Sequence, residues 1–173
     1  MRNKISLIPS IVTSIRVILA FILLYYIIND FILLSIILFL IAIFSDAIDG
    51  YLARKLSLSS SAGAYFDIIA DFILVLNAFI AFVIIGIYPY WIIILIVLVF
   101  LQFIVSSKFN VLIYDPVGKY YGSFLFLMIF ITLLPLNFIN YYLLLIIIVL
   151  FSFISLISRY LFFILKRKDN EHD

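Results

Sequence analysis

An all-α bundle of six transmembrane helices, preceded by a short interfacial segment, is the fold class that three observations predict. Hydrophobic residues fill 68% of the 173 positions and charged residues only 12%, about half the roughly 25% of an ordinary soluble domain. The apolar residues form six long continuous runs, not the alternating pattern of a membrane barrel. All 11 Lys and Arg residues gather at one set of run ends. The same composition excludes a soluble enzyme, whose surface so few charges would not cover, and a disordered chain, which needs low hydrophobicity and high charge. With no Cys and a single His, His172, disulfides, thiolate nucleophiles and Cys- or His-rich metal sites are excluded. A net charge of +2 is too small to indicate nucleic acid as a partner.

A bilayer crossing takes about 20 residues, and the six runs are read as six spans, the fifth being the shortest. The first covers about residues 10–28 and stops at Asn29-Asp30, and the second covers about 31–53 and stops at Arg54-Lys55. The third spans about 64–85 and ends near Gly86; the fourth spans about 89–107. The fifth runs from about 120 to 134, ending at Pro135, and the sixth from about 139 to 165, ending in Lys166-Arg167-Lys168. Six spans leave only short loops, so residues 1–173 read as a single membrane domain. Arg2 and Lys4 before an apolar run resemble a secretory signal, but Arg16 interrupts the run and no small-x-small cleavage site follows. The segment is therefore expected to be a mature helix, with Pro9 in its first turn and residues 1–8 lying in the interface.

With an even number of spans both termini share one side, and the positive charges place it in the cytoplasm. That face holds Arg2, Lys4, Arg16, Arg54, Lys55, Lys108, Lys119, Arg159, Lys166, Arg167 and Lys168, whereas the opposite face holds only the acid Asp30. The expected setting is a multi-pass protein of the cytoplasmic membrane, with termini and site on the cytoplasmic side. Tyr25, Tyr26, Tyr88, Tyr90 and Trp91 near run ends fit an interfacial belt, and the Lys166–Lys168 cluster fits a membrane-surface anchor.

Four of the nine acids, Asp46, Asp49, Asp67 and Asp71, fall inside the cytoplasmic ends of spans two and three. Asp46 and Asp49 are three apart and Asp67 and Asp71 four apart, so each pair shares a helix face. Spans two and three, joined by a short loop, are expected to be antiparallel neighbours whose carboxylates converge. An intramembrane carboxylate costs a few kcal/mol, and four together would repel one another and take up protons. Only Arg54 is near in sequence to neutralise them, which makes bound divalent metal the economical solution. Oxygen-only ligands favour Mg²⁺, Mn²⁺ or Ca²⁺ over Zn²⁺, and four carboxylates suffice for two ions. A loose, water-facing helix end and a proton or cation pathway are the competing readings. A cation-coupled transporter is therefore the alternative from another class, although a relay crossing the bilayer would want polar groups at several depths, and the acids cluster at one end. Gly50, Ala53, Ala62, Gly63 and Ala64 flank the acids; they permit close helix packing or leave a ligand room near backbone. Ser57, Ser59, Ser60 and Ser61 open the third run, as helix caps or phosphate contacts.

The stretch Asp46-x2-Asp49-Gly50-x2-Ala53-Arg54-x8-Gly63-x3-Asp67-x3-Asp71 resembles the signature of the CDP-alcohol phosphatidyltransferases, membrane enzymes of phospholipid synthesis. All eight fixed positions are filled at the family's spacing. The resemblance implies transfer of a phosphatidyl or archaetidyl group from a CDP-lipid, CDP-diacylglycerol or CDP-archaeol, to the hydroxyl of a small polar alcohol, with release of CMP. By the same resemblance, Asp46 and Asp67 would bridge two Mg²⁺ or Mn²⁺ ions, and Asp49 and Asp71 would each complete one metal site. Asp71 would also take the proton from the acceptor. Gly50, Ala53 and Arg54 would hold the donor nucleotide and pyrophosphate, with Ser60 and Gly63 beside them. Relatives in the family are commonly dimers, so a homodimer is the expected assembly. Pro9-x3-Thr13-x2-Arg16 resembles the opening of the phosphatidylglycerophosphate synthase branch and adds Thr13 to the donor contacts. Against that branch, many glycerophosphate-using relatives have Lys directly after the last Asp, and here that residue is Phe72.

On the acceptor side, Lys108, Lys119 and Arg159 lie near the same membrane face. Singly each reads as a topology marker; together they suit an anionic acceptor such as glycerol phosphate or inositol phosphate. A choline-, ethanolamine- or serine-type transferase of the same family is the alternative. Lys119 ends Asp115-Pro116-Val117-Gly118-Lys119, which reads as a turn before span five. Arg159 sits within the sixth span, where a cation is costlier.

Overall fold

The computed structural model describes residues 7–55, 61–108, 116–135 and 140–169, with side chains described for 15–45, 66–104, 120–135 and 140–161. The described residues form six α-helices and no strands: α1 Leu7–Ile28, α2 Ile32–Lys55, α3 Ser61–Ile84, α4 Trp91–Lys108, α5 Pro116–Leu133 and α6 Tyr141–Asp169. Each matches one expected run, with ends displaced by a few residues. The start of α5 and the end of α6 are each displaced by four residues, and the first has a clear cause. The start of α5 at Pro116 replaces the expected turn, because proline at the first helical position gives up only an N–H that would have no intrahelical acceptor. Lys119 accordingly lies in the first turn of α5, not in a loop. Leu7 and Ile8, expected in the interfacial segment, already belong to α1; residues 1–6 lie outside the described residues.

Two helices end in the same way. At the end of α1, Asp30 N–H donates to the Ile27 carbonyl (3.2 Å) and Phe31 N–H to the Tyr26 carbonyl (3.0 Å). At the end of α3, Gly86 N–H donates to Val83 (3.1 Å) and Ile87 N–H to Phe82 (2.8 Å). This paired closure requires a left-handed residue after the helix, supplied by Gly86 at φ 81° and by Asp30 at φ 61°. In the first closure Tyr26 and Phe31 also pack edge to face, with ring centroids 5.7 Å apart, the apolar contact that accompanies this motif. Glycine suits the left-handed conformation and aspartate only tolerates it. Asp30→Gly is therefore expected to raise the unfolding free energy by about 0.5–1 kcal/mol and Gly86→Ala to lower it by about 1–2 kcal/mol. Reversible unfolding in mixed detergent micelles measures both, and opposite signs are the diagnostic result. α6 is capped differently: Asn140 Oδ1 accepts from the N–H groups of Tyr142 (3.0 Å) and Leu143 (3.3 Å), the usual role of an N-cap amide.

α3 forms the centre of the bundle. Ala70, Leu74, Val75, Asn77, Ala78, Phe79, Ala81 and Phe82 are all buried, leaving it little outer face, and it packs against α1, α4 and α5. Its most extensive contact is with α1. Ala20 of α1 and Ala70, Ala78 and Ala81 of α3 are buried, and small side chains of this kind allow close approach of helix backbones. α1 also packs against α2. Among the described residues, α1 therefore lies between α2 and α3, which make no comparably extensive contact with each other. The direct pairing expected of spans two and three concerns their carboxylate-bearing ends, where the side chains of residues 46–65 lie outside the described ones.

Tyr88 folds from the α3–α4 link back into the core, beside Phe79 and Phe82. Its hydroxyl lies 2.8 Å from that of Thr132 on α5, and Thr132 donates to the Met128 carbonyl. Burial pushes the Tyr88 phenol up to about 12, so it remains a neutral hydrogen-bonding group at physiological pH.

Polar side chains join the apolar core, and many large apolar side chains face outward. Arg16, Ser35, Asn77, Thr132, Ser152, Ser155 and Arg159 are buried, whereas Leu33, Phe44, Ile94, Leu143 and Phe153 are exposed. Two helical segments, 66–84 and 141–161, are long and apolar enough to cross a membrane by length and composition among the described residues.

Candidate active site

The site can be located from the backbone by counting residues from helix ends. Asp46 and Asp49 are the tenth and seventh residues before the end of α2, and Asp67 and Asp71 the seventh and eleventh of α3. At 1.5 Å per residue, the two pairs occupy similar levels toward the end of the bundle where α2 finishes and α3 begins. Asp67 and Asp71 are both half-buried, one turn apart on one face of α3.

Asp71 has a partner from a distant part of the chain. Nη1 of Arg16 donates to its Oδ1 at 2.8 Å, the length of a charge-assisted bond. Arg16 is the tenth residue of α1, so it meets Asp71 at a matching level. Burial is unequal, with side-chain exposure of 2% for Arg16 and 32% for Asp71. Arg54 is the cation near the acids in sequence; the cation that the described residues bring to Asp71 is Arg16, 55 residues away. Two signals pointed to it: an arginine within an apolar run, and the resemblance of Thr13-x2-Arg16 to a family opening.

A second buried cation lies at the same level. Arg159 is the eleventh residue from the end of α6 and is 4% exposed. Its Nη1 donates to the Val99 carbonyl of α4 at 3.4 Å, and its guanidinium lies 5.1 Å from the centroid of the Phe103 ring, within cation–π range. In the reverse direction, Nε2 of Gln102 on α4 donates to the Leu156 carbonyl of α6 at 3.2 Å. These side chains clasp α4 and α6 together, so Arg159 has a packing role beyond marking topology. Phe72, the residue after Asp71, stacks on Phe100 of α4 with centroids 3.6 Å apart, and Phe100 adjoins Phe103. An aromatic row thus runs from the Asp71 side of α3 to Arg159.

The remaining sequence candidates are placed by backbone alone. Gly50, Ala53 and Arg54 lie in the last turns of α2, Gly63 in the first turn of α3, Thr13 in α1, Lys108 at the end of α4 and Lys119 in the first turn of α5. Their side chains, like those of Asp46 and Asp49, lie outside the described ones, and Ser60 lies outside the described residues altogether. No group of three or more His, Cys, Asp or Glu side chains gathers among the described residues. Asp67 and Asp71 nevertheless fit a divalent cation in type: adjacent, partly open carboxylates offer the hard oxygen ligands that Mg²⁺ and Mn²⁺ take.

Fold and site together define an all-helical protein with paired carboxylates and buried arginines at one level of the bundle. The family model for CDP-alcohol phosphatidyltransferases matches residues 6–158, and the chain belongs to that family. Among curated relatives it is similar to the CDP-diacylglycerol–glycerol-3-phosphate 3-phosphatidyltransferase of Bacillus subtilis, at 44% identity over 61 residues, 35% of this chain and 32% of the relative. It is also similar to a cardiolipin synthase (CMP-forming)/mitochondrial hydrolase fusion protein of Schizosaccharomyces pombe, at 38% identity over 71 residues, 41% of this chain and 12% of the relative. The matched stretches thus span about a third of the first relative and about an eighth of the second.

Proposed function

We propose that the chain is a phospholipid-synthesising transferase that moves a phosphatidyl or archaetidyl group from a CDP-lipid to a small polar alcohol and releases CMP. The observation that carries this reading is the complete eight-residue motif at the family's spacing, within a chain that the family model matches over most of its length. Glycerol phosphate is the proposed acceptor, because the Bacillus subtilis relative is named for it; inositol phosphate is the runner-up. Lys108, Lys119 and Arg159 are the proposed contacts for its phosphate.

In this mechanism Asp46, Asp49, Asp67 and Asp71 hold two divalent cations. Bound there, the ions supply charge neutralisation for the pyrophosphate and for the departing CMP. Arg54 pairs with a donor phosphate through its planar guanidinium, with Gly50, Ala53, Gly63, Ser60 and Thr13 shaping the nucleotide side. Asp71 removes the acceptor proton, which requires it to lie within hydrogen-bond reach of the hydroxyl.

The proposed setting is a single six-helix domain in the cytoplasmic membrane, working as a homodimer, with both termini and the site facing the cytoplasm. The buried polar side chains and exposed large apolar ones support a lipid-facing exterior. In that setting the lipid chains of the donor stay in the bilayer while its nucleotide meets a water-soluble acceptor at the boundary.

The test is CMP release by purified, folded protein from CDP-diacylglycerol and CDP-archaeol, with Mg²⁺ or Mn²⁺ and a panel of alcohols. Release is expected with glycerol phosphate, should cease on chelation with EDTA and should return when the metal is restored. No release with any acceptor would remove the transferase reading, and full activity in EDTA would remove the metal assignment.

A further inference from the structure

We propose that Arg16 is a positioning residue that fixes the direction in which the Asp71 carboxylate presents itself to the acceptor alcohol; this rests on the transferase reading above. The unequal burial of the pair carries the inference. Arg16 is 2% exposed and Asp71 is 32% exposed, so the guanidinium is anchored inside the bundle and the carboxylate reaches out from it. An ion pair serving stability alone gains little from this arrangement, because desolvating a buried guanidinium offsets much of its attraction for a carboxylate. A base, by contrast, gains much from a fixed partner. The last torsion of an Asp side chain is soft and broadly populated, and a bond at Oδ1 restrains it. The lone pairs of the carboxylate then keep one direction relative to α3.

The fold supports this role. Arg16 comes from α1, whose most extensive contact is with α3, and from a matching level of that helix. The α1–α3 packing that sets the centre of the bundle therefore also sets the distance between the two side chains. Arginine suits the position better than lysine, because its planar, permanently charged fork loses less freedom in forming a directed bond.

The experiment uses the full chain in detergent or vesicles, a CDP-lipid donor and the alcohol that gives CMP with the wild type. Arg16→Gln and Arg16→Lys are compared with wild type for unfolding temperature, kcat and donor KM. Arg16→Gln is expected to lower kcat about 10–100-fold, as loss of a supporting partner does, with donor KM within about threefold. Arg16→Lys should fall between it and the wild type. In an Asp71→Glu background, where the carboxylate already sits one methylene further out, Arg16→Gln should cost at most about threefold more, since residues acting through one another are non-additive. A folded Arg16→Gln with wild-type kcat overturns the proposal, as does a change confined to KM or a full additive loss in the Asp71→Glu background. If Arg16→Gln does not fold, Arg16→Lys decides, and wild-type kcat in that variant overturns the proposal. A wild type that releases no CMP with any alcohol removes the transferase reading and this proposal together, whereas an active wild type with insensitive Arg16 variants removes this one alone.

Discussion

Replacing Asp71 with asparagine is expected to slow CMP release by about 10²–10⁴-fold, the usual contribution of a positioned general base, while binding of the CDP-lipid survives. Asparagine is the informative substitution because of Arg16. Its amide oxygen still accepts from Nη1, now 2.8 Å from the carboxylate, so the interior loses a charge but not its hydrogen bond. Alanine would leave an almost fully buried guanidinium without this acceptor. Deleting one partner of a fully buried pair costs about 3–5 kcal/mol, and the cost here is smaller because Asp71 is 32% exposed. Single-turnover release of CMP, measured beside donor binding and unfolding temperature, separates the cases. An asparagine variant that turns over at the wild-type rate would show that another group takes the proton.

The second large effect concerns stability. Phe79 is fully buried on α3, with Phe82 at 6.0 Å and nearly perpendicular and Tyr88 at 5.8 Å between ring centroids. Phe79→Ala is expected to lower the unfolding free energy by about 3 kcal/mol, the low end of the range for such truncations in soluble proteins. In the proposed membrane setting the low end applies: lipid is as apolar as the core, so the lost term is mainly the cavity and its missing contacts, with little from transfer out of water. The Tyr88–Thr132 hydrogen bond should weaken with it, because the Tyr88 ring loses one of its walls. Unfolding in mixed micelles measures the change; a loss below about 1 kcal/mol would mean that neighbouring helices collapse into the space.

Both variants also show what was legible in the sequence. The six helices follow from continuous apolar runs ending at Asn29-Asp30, Arg54-Lys55, Gly86 and Pro135; such boundaries are local, so each run can be read by itself. The start of α5 was harder, since Pro116-Val117-Gly118 has turn residues that also fit a first helical turn. The Asp67–Asp71 pair is equally local: a spacing of four on a helix places both on one face. The acidic motif is therefore readable as a motif, and its level in the bundle follows from counting residues along two helices.

Contacts between distant helices were not readable in this way. That α1 lies between α2 and α3 among the described residues depends on how whole helix surfaces fit one another, which no local spacing encodes. That Arg16 meets Asp71 across 55 residues, and that Arg159 clasps α4 through Val99 and Phe103, depends on that packing in turn. From the sequence alone, then, came the helices, the acidic motif and the sorting of cations to one end, because hydropathy and helical spacing act over a few residues. Only the tertiary structure decided which buried cation faces which carboxylate, because an interior charge takes the partner that packing brings within about 3 Å.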